Sequence, residues 1–193
     1  MQNNVGIYAS QISGHLYSGP YGSYDSLATI TLSASTASIT FAGIPQGYKH
    51  LQIRINGKMD RTSAAYGDYQ ISVNNDTSYS YALHQLIGNG SSASAGATTT
   101  AANLGFWSFS RLAGNTVSNL TGVAILDILD YSDSTKNKTV RQLGGTDANG
   151  SGEIVLQSGL YLKSSPITSI QFTPGYGSSN FIAPTSIALY GVK

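Results

Sequence analysis

No cysteine occurs in the 193 residues, so a disulfide framework and a thiolate metal site are both excluded. Charge is nearly as scarce. Charged residues make up 10% of the chain, Glu153 is its single glutamate, and the net charge is +1; an ordinary soluble domain carries about a quarter charged residues. The few lysines and arginines are scattered, so the basic footprint of a nucleic-acid binder is missing. No run approaches the ~18 apolar residues that a membrane helix needs. The opening MQNNVGIYAS (1–10) lacks the basic and continuous apolar regions of a secretion signal. The expectation is a chain made in a cytoplasm that does not use the standard secretion route and contacts neither membrane nor nucleic acid. Capped helical periodicity, heptads and collagen-like or β-helix repeats are also absent, so the chain forms no fibre shaft of its own.

What is present is strand signal. LATITL (27–32), ASITF (37–41) and HLQIRIN (50–56) are short and rich in β-branched residues. In the third, Leu51, Ile53 and Ile55 alternate with Gln52, Arg54 and Asn56, as in a half-buried antiparallel strand. YQISVN (69–74) repeats the pattern. Further strands are expected at 79–86, 105–110, 121–131, 138–143, 153–162, 167–173 and 185–191. Between them lie turn residues: Pro45 with Gly47, NND (74–76), and the pairs at 89–90, 114–115, 149–150 and 174–175. VAILDILDY (123–131) is apolar on both faces, so it is expected to be a central strand covered by a second sheet on one side and by a partner or loop on the other. EIVLQSGLYL (153–162) is similar, with Gly159 read as a bulge or kink. GNGSSASAGATTTAAN (88–103) is low-complexity and is expected to be a long loop or a surface ordered by a neighbour. The fold class is all-β: an antiparallel jelly-roll-like β-sandwich over residues 25–193, preceded by an extended arm, residues 1–24.

Candidate chemistry is thin. His15, His50 and His84 are the only histidines, and no serine lies in a nucleophile-elbow sequence. Asp127, Asp130 and Asp133 are spaced by three, so alternation sends the first two to opposite faces and builds no glycosidase pair. DANGSGE (147–153) puts Asp147, Asn149, Ser151 and Glu153 at alternate positions, hard oxygen donors of the kind calcium takes. The loop lacks the length and glycine position of an EF-hand, and the competing reading is a hairpin turn on Asn149-Gly150. The Asn-x-Ser/Thr sequons at Asn75, Asn89, Asn119, Asn137 and Asn149 follow from an Asn-, Ser- and Thr-rich composition. No catalytic residue, cofactor or metal site is assigned.

Tyrosine is the last feature, with thirteen against five phenylalanines. Tyr17, Tyr21, Tyr24, Tyr79 and Tyr81 form the candidate binding surface, for a subunit or for a sugar, because Tyr makes adaptable low-charge contacts. In the arm, ASQISGHL (9–16) sets Ile12 and Leu16 around Gly14 and His15. These four are the candidate docking residues: two apolar anchors, a glycine that permits a bend, and a hydrogen-bonding side chain.

The segments SQISGHL, SYDSLATITL, ITFAGIPQGYKHLQIRI, YSYALHQLIGNGSSASAG, ILDILDYSDSTKNKTVRQLGG and SIALYGVK, in this order over nearly the whole chain, resemble a family of small tailed-phage virion structural proteins. Its members occur in phages of cyanobacteria and other aquatic bacteria and are tail-fibre-like or head-decorating. The resemblance implies a non-enzymatic virion component, made in the host cytoplasm and released by lysis. Its implied partners are other virion proteins, the major capsid protein or tail proteins. The absence of a shaft repeat and the fit to one domain favour a capsid-decorating (cement) protein, as a homotrimer, over the alternative of a tail-fibre tip that binds host glycan.

Overall fold

The computed structural model describes residues 22–78, 80–98, 107–175 and 178–193. Twelve strands run in chain order: β1 Tyr24–Thr31, β2 Ile39–Ala42, β3 His50–Gly57, β4 Tyr66–Val73, β5 Tyr81–Gly88, β6 Ala93–Thr98, β7 Trp107–Ala113, β8 Gly122–Leu129, β9 Lys138–Asp147, β10 Gly152–Tyr161, β11 Ser169–Pro174 and β12 Ser186–Val192. No helix occurs among the described residues. One sheet has eight strands in the order β1-β12-β3-β8-β9-β10-β5-β6, and the other has four, β2-β11-β4-β7. Every pairing between these strands is antiparallel. The two sheets pack face to face as the sandwich that the strand pattern predicts, divided unevenly.

Alternation sets the core. In β3, Leu51, Ile53 and Ile55 are buried; in β4, Tyr69, Ile71 and Val73 are. β7 lies over β8, β9 and β10 and brings in Trp107 and Phe109, both fully buried. Trp107 meets Tyr81 edge-on at 5.3 Å between ring centroids, and Tyr81 lies 5.0 Å from Tyr161. Polar side chains on the inner face are matched. The Tyr69 hydroxyl bonds Gln142 at 3.1 Å, and Gln157 donates to Gln85 at 3.0 Å. The Lys138 ammonium donates to three backbone carbonyls, of Asp133 at 2.5 Å, Lys136 at 2.7 Å and Ser164 at 2.8 Å. It stitches the loop after β8 to the loop after β10.

Two expectations need correction. Residues 93–98, read as part of a loop, form β6 along the edge of β5, from Leu83↔Thr98 to Gly88↔Ala93. Strand β5 offers a row of unpaired backbone groups, and pairing with it outweighs the weak strand preference of Ala, Ser and Gly. Gly159 makes no bulge: the β9–β10 and β10–β5 registers run through it unbroken. It is glycine because a Cβ there would sit 2.6 Å from Val140 Cγ1 and 2.8 Å from Trp107 Nε1. The strand at 123–131 is covered by the second sheet on its inner side, as expected; no loop among the described residues lies over its outer side, where Val123, Ile125 and Leu129 stay exposed, which leaves that side to a partner.

Candidate functional site

The outer face of the large sheet is the most unusual surface of the molecule. Ten large hydrophobic residues are exposed among the described residues, and seven of them stand on four adjacent strands of this face: Val123, Ile125 and Leu129 of β8, Leu143 of β9, Ile154 and Leu156 of β10, and Leu86 of β5. They range from 45% exposed at Leu129 to 62% at Ile154. Register turns them into rows. Ile125 pairs with Leu143, Leu143 with Leu156, and Leu156 with Leu86, so four branched side chains form one continuous ridge across the strands. Directly opposed residues lie about 5 Å apart at Cβ, so the ridge has no gaps.

The next row is built differently. Val123 pairs with Gly145, Gly145 with Ile154, and Ile154 with Gly88. Large residues alternate with glycines, and a hollow of about 860 Å³ opens there, lined by Val123 and Ile154 and, on its ridge side, by Ile125 and Leu143. Its walls are the turns around 88–91 and 147–153. Gly145 is required by close approach, since a Cβ would fall 2.5 Å from the Glu153 carbonyl oxygen. The 147–153 wall is a two-residue hairpin in which Asn149 and Gly150 both have positive φ, 54° and 108°. The Ala148 amide donates to the Ser151 carbonyl at 2.7 Å, as the Asn-Gly pair predicts.

Towards β3 and β1 the same face turns polar. The Arg54 guanidinium lies 4.9 Å from the Tyr190 ring centroid and 5.7 Å from that of Tyr24, and its Nε donates to Gln52 at 2.9 Å. Gln52 in turn donates to Asp127 at 3.0 Å. The other Asp127 oxygen accepts from Arg141 at 2.9 Å. Asp127 and Arg141 are direct cross-strand partners, so the one carboxylate set among the apolar rows is matched by its neighbour.

The residues singled out in the sequence fare unevenly. Ile12, Gly14, His15, Leu16, Tyr17, Tyr21 and Tyr79 lie outside the described residues. Tyr24 is exposed on the outer face, beside Arg54. Tyr81 is no surface residue: it is fully buried. Alternation in β5 starts from an inward Tyr81, whose hydroxyl accepts the Val73 amide at 3.1 Å and donates to the Asp76 carbonyl at 2.8 Å. Burial pushes its pKa up to about 12. His50 is structural; its Nδ1 accepts the Asp130 amide at 2.9 Å. His84 is exposed, paired in register with Ser158 and Ala97. The four oxygen donors of 147–153 do not converge. Asp147 caps its own turn through the Asn149 amide at 2.9 Å. Glu153 turns away to Arg111 at 2.6 Å and Tyr66 at 3.2 Å. Among the described residues, no group of three or more His, Cys, Asp and Glu side chains is placed to hold a metal ion.

The ridge escaped the sequence reading. The two-faced apolar patterns at 123–131 and 153–162 were its only signal, and Leu143 and Leu86 join it through register alone. Comparison with protein-family models, with curated proteins and with solved structures finds no match.

Proposed function

We propose that this chain is a non-enzymatic structural protein of a bacteriophage virion, a capsid-decorating (cement) protein that stabilises the head as a homotrimer on other virion proteins. The observation that carries the proposal is the exposed apolar face of the large sheet. Chains that stay single in water rarely leave a large contiguous apolar patch bare, and such patches mark surfaces that a partner covers. The low charge of the chain points the same way, and the resemblance to small tailed-phage proteins supplies the setting. Quantitative mass spectrometry of purified virions tests it. Cement protein is expected at hundreds of copies per particle, with heat-fragile heads when it is missing. A count in the low tens refutes the cement reading.

The second reading, a tail-fibre tip that recognises host glycan, is favoured by one observation, the Tyr24–Arg54–Tyr190 cluster. Aromatic faces beside an exposed polar network suit a sugar. It predicts few copies, and loss of adsorption with intact heads.

A further inference from the structure

We infer that the apolar outer face of the large sheet is where copies of this chain pack on one another, ridge against hollow. The inference rests on the assembly reading above and names the partner at that face. Extent is the first argument. The four strands β8, β9, β10 and β5, each about 4.8 Å wide, and the run from Val123 to Leu129 at about 3.3 Å per residue, give a face of roughly 400 Å² in plan. A stable interface buries about 800 Å² on each partner. The face is therefore about half of such an interface, and the row Arg141, Ser158 and His84, with Thr139 beyond it, sets polar side chains beside the apolar rows.

Charge is the second argument. The carboxylate of Asp127 is already matched by Arg141 at 2.9 Å, and the hollow is lined by Arg54 and Asp147, so the face carries both signs with no excess of either. An identical copy meets it without net repulsion. Relief is the third. The ridge Ile125–Leu143–Leu156–Leu86 stands beside the row in which Gly145 and Gly88 open the hollow. One face thus carries both a projecting row and a recess of matching chemistry, so the ridge of one copy can enter the hollow of the next, the head-to-tail contact that closes a three-fold ring.

The test uses the full chain, by sedimentation velocity and light scattering over a range of concentrations. Wild type is expected as an oligomer of the 20.2 kDa chain. Leu143→Glu is expected to fall to the single-chain mass, with unchanged circular dichroism and tryptophan emission. Since the protein has no cysteine, nitroxide labels on Ser158→Cys and Ala42→Cys give a readout that does not depend on Leu143→Glu folding. The first label, on the outer face of the large sheet, is expected to be immobilised at high protein concentration and freed on dilution. The second, on the small sheet, should stay mobile at both.

A wild type that is monomeric at every concentration overturns the inference, as does a folded Leu143→Glu that remains oligomeric. A Ser158→Cys label immobilised in the monomer and freed by deleting residues 1–21 overturns it in favour of the chain's own arm. A label immobilised only on added capsids overturns it in favour of the capsid protein. None of these results alters the copy number in virions, so failure of the self-packing surface and failure of the virion reading are distinguishable.

Discussion

Replacing Gly159 by alanine adds one methyl group at a close-packed point of the core. Gly159 lies on the inner side of β10, between Val140 of β9 and Leu83 of β5 in register. The new Cβ would lie 2.6 Å from Val140 Cγ1, 2.8 Å from Trp107 Nε1 and 2.9 Å from Trp107 Cδ1. Carbon atoms at their best separation are about 3.5–4.0 Å apart, so something must give by about an ångström. Trp107 is poorly able to do so. It is fully buried, its indole N–H donates to the Leu160 carbonyl at 3.1 Å, and Tyr81 and Tyr161 both meet it edge-on, at 5.3 and 6.3 Å. Overpacking of this kind costs about 1–3 kcal/mol. The alanine also removes unfolded-chain freedom, which returns about 0.4–1 kcal/mol. A net loss of about 1–2 kcal/mol is expected, or a melting temperature lower by roughly 2–8 °C for a chain of this length.

Urea titration followed by tryptophan emission measures it directly, because Trp107 is the only tryptophan and sits at the clash. The native emission spectrum should shift as well as the midpoint. Adding Val140→Ala relieves one of the contacts, so the double variant should be less destabilised than the sum of the two singles, by at least ~0.5 kcal/mol. A Gly159→Ala protein as stable as wild type, or strictly additive singles, would refute the claim that packing against Trp107 is why this position is glycine.

Asp76 and Tyr81 supply two more tests. Partial burial pushes the Asp76 pKa up, but hydrogen bonds from Lys163, Ser78 and Tyr161 together outweigh it and hold the carboxyl well below the usual range. A depressed carboxylate stabilises the fold fully above its unfolded value, about 3.9, and that contribution is lost as pH falls through the folded value. Asp76→Asn should therefore lose about 1.5–3 kcal/mol at neutral pH and show a flatter fall in urea midpoint below about pH 4; a slope equal to that of wild type would contradict the assignment. Tyr81→Phe strands the buried Val73 amide that its hydroxyl accepts and should cost about 1–3 kcal/mol in thermal melts while leaving oligomer mass and particle incorporation unchanged. Lost incorporation at full stability would restore Tyr81 to a binding surface.

Eleven of the twelve strands among the described residues were legible in the chain, because period-2 alternation and turn residues are local properties. The Asn149-Gly150 hairpin is the clearest case: positive φ at two successive positions is a demand that two residue types answer. Strand β6 was not legible, since Ala93–Thr98 carries little strand preference of its own and is a strand only because β5 presents an open edge. Tyr81 shows another limit. Alternation tells which residues share a face, but which face is inward depends on the layer packed against it, and here Trp107, twenty-six positions away, decides that.

The reason for Gly159 is likewise a contact between distant segments. The candidate site divides in the same way. That 123–131 and 153–162 are apolar on both faces is written in the sequence, and it already calls for two covered sides. That no loop of the described residues covers the second side, and that Leu143 and Leu86 complete a ridge with Ile125 and Leu156, follows only from strand order and register. Those are set by which hydrogen-bonded pairings bury the inner face best, a balance summed over the whole sandwich rather than over any one segment.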